Sequence, residues 1–169
     1  GRDSVIAAAL LKEAGIDARI CSGIEPLCRG LQAGAGFVLV TDEALNASDL
    51  TPLARWVLEQ PAWSDFPFIL LTERGGGLER NPTASRLTQT LGNVTFLERP
   101  FHPTSLVSVA RTALRARRRQ YEARARMDEI REAELLLERR VQERTSELAA
   151  ANRQLLGQIE EREKVEAAL

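Results

Sequence analysis

Polar side chains follow three apolar runs of the chain, and their types suit phosphate chemistry. Thr41 and Asp42 follow the first run, Thr72 follows the second, and Arg99 follows the third. A carboxylate holds a divalent cation or receives a phosphoryl group, and a cationic side chain contacts the phosphoryl oxygens. In an open parallel sheet the chemistry lies at the carboxyl ends of the strands, so we expect these side chains to share one edge.

The sequence has few residues from which other kinds of catalytic or metal site could be built. His102 is the single histidine and is followed by Pro103, so we predict a turn or capping residue there. Cys21 and Cys28 have no further metal-ligating residues near them, which leaves neither a metal site nor Cys–His catalysis. Gly75–Gly77 is not followed by the Gly-Lys-Ser/Thr of nucleotide-binding loops, and it predicts a mobile loop between a strand and a helix.

An alternation of apolar runs and amphipathic stretches predicts the elements that position the polar side chains. We predict helices over 4–14, 25–33, 50–60 and 82–92 and strands over 17–21, 37–41, 68–72 and 94–98. Asp3 and Asn81 are the expected N-caps of the first and fourth helices. Strands joined through helices are parallel, so the predicted fold class is α/β with a doubly wound sheet. Because such a sheet normally opens with a strand, we expect an apolar strand ahead of the first helix.

The C-terminal part of the chain predicts a single long helix. Residues 104–169 contain no proline and one glycine, Gly157, and they are rich in strong helix formers. At a rise of 1.5 Å per residue this helix is about 100 Å long and must protrude from the α/β part. The predicted domains are therefore 1–115, the α/β domain, and 116–169, the extended helix.

Apolar residues recur every seven positions towards the end of this helix. Val141, Leu148 and Leu155 form one row, and Asn152 and Ile159 belong to a second row four residues after it. This spacing is typical of a two-stranded coiled coil, and an asparagine on the seam favours the parallel register. We predict a parallel homodimer. A helix folded back on its own domain is the alternative, and the lack of glycine and proline over 104–156 argues against it.

The charge of the chain is nearly balanced overall but uneven along the long helix. A net charge of −1 excludes a globally basic nucleic-acid binder. Residues 111–126 nevertheless contain seven arginines and one glutamate. A dimer that binds nucleic acid through Arg115–Arg126 therefore stays open as an alternative. We favour a solvated helix face in this stretch and expect no nucleic-acid partner.

Composition and targeting signals limit the class of protein. Hydrophobic residues make up 44% of the chain and charged residues 28%, which supports a packed core. The sequence has neither a run of 18 apolar residues nor a signal-peptide pattern, so we expect no membrane partner. Free cysteines in such a chain are typical of a cytoplasmic protein.

The strand-end segments FVLV, LLT and RPF resemble those of the receiver domains of two-component response regulators in their order and spacing. The resemblance covers about residues 1–115 and implies a flavodoxin-like receiver fold, whose first strand this sequence lacks. Receiver domains carry a phosphoacceptor aspartate after the third strand, a serine or threonine after the fourth and Lys-Pro after the fifth. The residues of this chain at those positions are Thr41, Thr72 and Arg99.

Departures from the receiver pattern predict a degenerate phosphoacceptor site. Thr41 is a hydroxyl and not a carboxylate, and the planar fork of Arg99 differs in shape from an ammonium group. We therefore predict no catalytic residues, no metal site and no cofactor. The alternative is a receiver phosphorylated on Asp42 in a phosphorelay, which would need Mg²⁺. Adjacent strand residues point to opposite faces, so this alternative requires that the strand bulge or end at Thr41. Otherwise Asp42 and Glu43 are solvated loop residues or a cap.

The segment from Glu143 to Leu148, followed by Ala151-Asn152, resembles the signalling helices that join sensory domains to histidine-kinase cores in bacteria. The two resemblances together imply a regulatory and dimerising N-terminal module of a two-component histidine kinase. This stretch of chain is then no enzyme itself, whereas the parent protein is a kinase. The implied partners are a second copy of the chain and the downstream kinase domains.

Overall fold

The computed structural model describes residues 2–73 and 82–167, and the chain divides into two compact units, Gly1–Ala123 and Arg124–Leu169. We name the first the globular unit and the second the helical unit. The elements of the described residues, in chain order, are α1 (Arg2–Glu13), α2 (Ile24–Gln32), β1 (Val38–Thr41), α3 (Asp42–Asn46), α4 (Thr51–Leu58), β2 (Phe68–Thr72), α5 (Pro82–Leu91), β3 (Val94–Glu98) and α6 (Pro103–Ala167).

The strands form one parallel sheet in the order β1-β2-β3. Leu70 of the central strand pairs with Val40 on one side and with Phe96 on the other. Every residue of β2 is buried, as expected for a continuous apolar strand that is covered on both faces. The parallel pairing, together with the connecting helices, confirms the α/β fold class.

Helices cover both faces of the sheet, as in a doubly wound fold. Phe68 and Leu70 belong to a core that they share with α2, α3, α4 and α5. Ile69, which lies between them, belongs to a second core that it shares with α1 and α6. Successive strand residues point to opposite faces, so one short apolar run builds both cores.

The first part of α6 packs its apolar face in the second core. Leu106 and Ala110 are fully buried, Ala113 is buried, and Val109 is partly buried against them. The helix continues without interruption from Pro103 to Ala167, as the absence of proline predicts. No helix among residues 2–73 and 82–167 is both long and apolar enough to cross a membrane.

Most of the predicted elements are confirmed with small shifts. The strands β2 and β3 have the predicted bounds, and β1 begins one residue late, at Val38. The four short helices lie within two residues of the bounds predicted for them. The cap predicted at Asn81 and the loop predicted at Gly75–Gly77 lie outside the described residues.

The strand predicted over residues 17–21 is wrong. The alternation of apolar Ile16, Ala18 and Ile20 with polar residues suits a strand, but this segment carries no regular secondary structure. A strand needs a hydrogen-bonded neighbour, and in the described residues the edge strand β1 pairs with β2 alone. Without a partner strand the local pattern does not produce a strand.

One prediction at a helix start also needs correction, and one short helix was not predicted. Asp3 does not precede the first helix as its cap but lies inside the first turn of α1. The short helix α3, which the sequence did not indicate, begins directly after β1. Thr41 is its N-cap, and its Oγ1 accepts a hydrogen bond from the backbone N–H of Ala44 at 3.2 Å. This capping hydroxyl ends the strand and starts the helix within one residue.

Candidate functional site at the carboxyl edge of the sheet

The carboxyl ends of the three strands bring the predicted site residues to one edge. Thr41 ends β1, Thr72 ends β2, and Arg99 follows β3 directly. The backbone N–H of Arg99 donates to the carbonyl oxygen of Thr72 at 2.8 Å, which extends the ladder between β2 and β3 by one residue. The predicted grouping of Thr41, Asp42, Thr72 and Arg99 therefore rests on the register of a parallel sheet.

Arg99 stands at the centre of an ion-pair network that we name the Arg99 cluster, formed by Asp3, Asp42, Glu43 and Arg99. Nη1 of Arg99 donates to Oδ2 of Asp3 at 2.9 Å. Nη2 donates to Oε1 of Glu43 and lies 3.7 Å from Oδ1 of Asp42. One guanidinium thus joins the first turns of α1 and α3 to the end of β3.

The two adjacent carboxylates of the cluster, Asp42 and Glu43, have pKa values that are shifted in opposite directions. Burial, followed by its contact with Glu43, raises the pKa of Asp42 above its ordinary value. Burial is the largest single influence on Glu43 and acts to raise its pKa, but the hydrogen bonds from Arg99, the local backbone, Asp42 and Thr41 together lower the pKa of Glu43 to about 2. The hydrogen bond to Glu43 raises the pKa of Arg99. Glu43 is therefore the principal counterion of Arg99, and Asp42 is the weaker one.

Thr41 and Thr72 differ in what their hydroxyl groups do. Oγ1 of Thr41 accepts the capping hydrogen bond of α3, so this side chain already has a structural role. Oγ1 of Thr72 is buried and has no hydrogen-bond partner within the described residues, and the same holds for Nε of Arg99. Neither hydroxyl offers the carboxylate that an acyl phosphate requires.

Asp42 is the carboxylate nearest to the end of β1. Its side chain is 15% exposed, and its Oδ1 accepts a hydrogen bond from the backbone N–H of Glu43 at 3.1 Å. It lies in the first turn of α3 and not in the strand. The strand does end at Thr41, which is the condition that the Asp42 alternative requires.

Metal ligands do not gather at this edge or elsewhere in the described residues, where no group of three or more His, Cys, Asp or Glu side chains could hold an ion. The three carboxylates of the Arg99 cluster surround a guanidinium instead. Their charge is balanced in part by Arg99, which lies in the middle of them.

Two members of the Arg99 cluster were not found from the sequence. Asp3 was expected to cap a helix, and Glu43 was expected in a solvated loop. One signal could have found Asp3: a helix that connects parallel strands begins at the carboxyl edge, so its first turn lies near the strand ends. Glu43 follows from the short helix α3, which turns it back towards Arg99.

His102 has the role that the sequence predicts. It precedes α6, and its Nδ1 accepts a hydrogen bond from the backbone N–H of Thr104 at 3.3 Å and lies 2.8 Å from Thr104 Oγ1. Its own carbonyl oxygen accepts from the N–H of Ser105 at 2.9 Å. These contacts are those of a capping residue.

The basic stretch on α6 contains one arginine that does not face solvent. Arg117 is only 7% exposed, and its guanidinium lies 4.7–5.2 Å from the ring centres of Trp63, Phe66 and Tyr121. Its Nη1 donates to Ser64 Oγ at 2.6 Å. Arg117 therefore holds α6 against the loop before β2, a role that the sequence reading missed when it treated Arg115–Arg126 as one solvated face.

The residues of the predicted coiled-coil seam belong to the helical unit. All five side chains are exposed in the single chain: Val141, Leu148, Asn152, Leu155 and Ile159. The dimer remains a prediction.

Among solved structures, a crystal structure of similar fold matches this chain. It is the crystal structure of NtrX from Brucella abortus in complex with ADP, with a TM-score of 0.57 and 19% sequence identity. The match covers 73% of this chain and 26% of the NtrX chain, so this chain spans about a quarter of that protein's length. The chain matches no protein-family model and none of the curated proteins. The likeness supports a receiver-like α/β fold and carries no residue roles.

Proposed function

We propose that this chain is a receiver-like regulatory module of cytoplasmic two-component signalling that has lost the phosphoacceptor chemistry of a receiver. The observation that carries the proposal is Thr41 at the end of β1. The residue at this position would have to accept the phosphoryl group, and here it is a hydroxyl that caps α3. A hydroxyl cannot form the acyl phosphate on which receivers depend.

The Arg99 cluster also supports the proposal, because the guanidinium of Arg99 is engaged by carboxylates of its own chain. Arg99 contacts three carboxylates of its own chain, Asp3, Asp42 and Glu43. A cation that serves phosphoryl transfer must be able to contact the incoming phosphoryl oxygens. Here both terminal nitrogens donate to carboxylates of the same chain, Nη1 to Asp3 and Nη2 to Glu43, so the network joins α1 and α3 to the end of β3 without a ligand.

The test is incubation of the chain with acetyl phosphate and Mg²⁺, followed by intact-mass measurement. We expect no gain of a phosphoryl group, since no carboxylate ends β1. Thr41→Asp is the matched variant, because it restores a carboxylate at the strand end. Stoichiometric labelling of the unmodified chain that disappears in Asp42→Asn would contradict the proposal.

The competing function is a phosphorylatable receiver that uses Asp42. The observation that favours it is the place of Asp42 directly after β1, with Oδ1 3.7 Å from Nη2 of Arg99 and a small exposed fraction of the side chain. In that case Asp42 would have to exchange its contact with Arg99 for a bound Mg²⁺ ion. The acetyl phosphate experiment distinguishes the two functions directly.

We further propose that the module acts on a downstream histidine kinase through a parallel dimer of α6. Support comes from the continuity of α6, which contributes buried residues to the globular unit and heptad-spaced residues to the helical unit. In the full-length protein, two residues inserted after Arg126 would rotate the seam by about 200°. We expect a strong change of basal kinase output from this insertion and little change from an insertion of seven residues. Equal kinase outputs from the two insertions would mean that the helix only connects the domains and transmits no signal.

A further inference from the structure

The outer side of α1 is apolar and exposed. Residues 5–11 of this helix are all apolar, and Ala7 and Leu11 are buried in the second core. Val5 and Ile6 lie on the other side of the helix, where they are 59% and 51% exposed, and Ala9 is exposed beside them. A helix that is apolar all round is normally covered all round. We name Val5, Ile6 and Ala9 the α1 ridge, which the described residues leave open to solvent.

A groove lies beside the α1 ridge, between α1 and α6. Its volume is about 830 Å³, and its apolar wall includes Leu10, Val107 and Leu114. These three side chains are half-buried, so the groove is open as well as apolar. Leu10 follows Ala9 directly, which places the ridge and the groove next to each other. Helices pack when the ridge of one enters the groove of another, so a surface that carries both is complementary to a second copy of itself.

Charged side chains of both signs border the groove. Glu13 lies on its α1 side, and Arg111 and Arg115 lie on its α6 side. All three are exposed, and none of them belongs to an ion pair within the described residues. Such a surface suits a partner that carries the same two signs in exchanged positions. A second copy of the chain has this arrangement, whereas Glu13 would repel a uniformly acidic partner.

The relative direction of α1 and α6 decides how the charges of two copies meet. Asp3, in the first turn of α1, contacts Arg99 just before α6 begins. After the end of α1, the carbonyl oxygen of Ala14 accepts a hydrogen bond from Nη2 of Arg111 at 3.5 Å. The two helices therefore run side by side in the same direction, with Glu13 at the level of Arg111. A two-fold axis along parallel α6 helices preserves this level, so the carboxylate of each copy can face the arginines of the other.

We propose that the α1 ridge and the groove beside it form a contact between the globular units of two copies of this chain. The ridge of each copy packs into the groove of the other, and Glu13 pairs with Arg111 or Arg115 across the contact. The inference rests on the parallel α6 dimer proposed above, which brings two globular units together. The apolar area is small, so the contact depends on the high effective concentration that this dimer supplies.

The first experiment measures the dissociation constant of the dimer by analytical ultracentrifugation of the full chain in a dilution series. Ile6→Asp should raise this constant by about tenfold or more, because it places a charge in an apolar contact. Leu58→Asp is the matched control and should not change it, because Leu58 is 86% exposed and lies outside the ridge and the groove. Both side chains are exposed in the single chain, so neither variant should unfold, and tryptophan fluorescence checks this.

An exchange of charges tests the pairing of Glu13 with the arginines. Glu13→Arg should weaken the dimer, because the contact then contains cations alone. Glu13→Arg together with Arg115→Glu exchanges the two charges and should restore most of the affinity. Arg119→Glu in place of Arg115→Glu gives the same net charge on an exposed residue outside the groove, and it should not restore the dimer.

A second readout locates the contact on the ridge. In a chain with Cys21→Ser and Cys28→Ser, Ala9→Cys introduces a single thiol on the ridge. We expect its alkylation to be about tenfold slower in the dimer than in the same chain made monomeric by Leu148→Lys and Leu155→Lys, because access controls the reaction of a thiol. Leu58→Cys in the same background is the control and should react at one rate in both.

The outcomes separate this contact from the α6 dimer on which it rests. A dimer that responds equally to Ile6→Asp and Leu58→Asp, or whose thiol at position 9 reacts as fast as in the monomer, would overturn the contact and leave the α6 dimer standing. Equal recovery with Arg115→Glu and Arg119→Glu would overturn the charge pairing. An unmodified chain that stays monomeric at every concentration would refute the α6 dimer itself, and the contact with it.

Discussion

The globular and helical units place the same residue type in opposite environments. Leu53 and Leu106 of the globular unit are fully buried, whereas Leu148 of the helical unit is 65% exposed. Both units are rich in helix, and both present leucine at helical spacing. The difference teaches that a leucine stabilises a fold only where a second element covers it, since apolar burial supplies the free energy.

The two parts of α6 are accordingly held by different forces. Its beginning is fixed by the sheet through Leu106 and Ala110. In the helical unit the described contacts within the helix include the pairs Arg124–Asp128 at 3.6 Å and Arg144–Glu147 at 3.0 Å. Exposed pairs of this kind contribute about 0.3–0.5 kcal/mol each. In the dimer that we propose, a second copy of the helix would cover the exposed leucines of the helical unit.

The largest expected effect comes from substitutions that disrupt the proposed pairing of two copies of α6. Leu148→Lys together with Leu155→Lys should convert a dimer into a monomer, because burial of each leucine contributes roughly 1.5–3 kcal/mol and a dimer loses four. Analytical ultracentrifugation measures the mass. Ala150→Lys with Gln154→Lys adds the same charge away from the seam and should leave the dimer intact. A dimer that survives the leucine changes would place the interface on the globular unit.

A single leucine truncation in each unit measures how much that leucine contributes to the stability of the globular unit. Leu53→Ala should lower the free energy of unfolding by about 2–5 kcal/mol, because it leaves a cavity in a packed core. Leu156→Ala, at a position off the predicted seam, should change it by no more than about 0.5 kcal/mol. Both tryptophans, Trp56 and Trp63, lie in the globular unit, so their fluorescence in urea reports that unit alone. Equal losses of unfolding free energy in Leu53→Ala and Leu156→Ala would contradict the difference between buried and exposed leucines.

The buried Arg117 gives an intermediate effect. Arg117→Lys keeps the charge but loses the planar group that lies against Trp63 and Tyr121, so we expect a loss of about 2 kcal/mol in unfolding free energy. Arg119→Lys, on the exposed face of the same helix, should have almost no effect. If the two changes were equivalent, the aromatic contacts of Arg117 would contribute nothing specific.

The smallest effect concerns acid pH at the Arg99 cluster. The pKa of Glu43 is lowered to about 2 in the folded chain, so its contribution to stability is present above its ordinary pKa of 4.5 and is lost as the pH falls towards 2. The raised pKa of Asp42 acts in the opposite sense, and its stabilising effect is lost as the pH rises above 3.8. Glu43 is half exposed, which keeps the effect small.

Glu43→Gln isolates this contribution. The variant should lose less stability than the unmodified chain between pH 5 and pH 3 in urea titrations, because it removes the group that binds a proton more readily in the unfolded state. Glu13→Gln, on α1 outside the cluster, is the control for the loss of one negative charge. A steeper acid loss in Glu43→Gln would reverse the assigned sign.

Elements whose signal is local were determined by the sequence alone. The apolar run FILLT predicted β2 with its observed bounds, because a strand covered on both faces needs apolar side chains along its length. The mixed run VTFLE also predicted the bounds of β3, although its residues are partly buried or exposed. The absence of proline after Pro103 likewise determined a long helix. The meeting of Thr41, Asp42, Thr72 and Arg99 followed from the parallel order of strands, which short helical connections impose.

Features that depend on a neighbour distant in sequence were decided by the tertiary structure. Residues 17–21 have the alternation of a strand, yet an unpaired strand is not stable, and no strand among residues 2–73 and 82–167 pairs with them. Arg117 looks like one more solvated arginine in a basic run, and only the loop at Trp63 and Ser64 makes it a buried group. Asp3 forms an ion pair with Arg99, which lies 96 residues away in the sequence. Composition and spacing specify what a side chain can do; which partner it meets is set by packing, because distant segments approach each other only once the cores have formed.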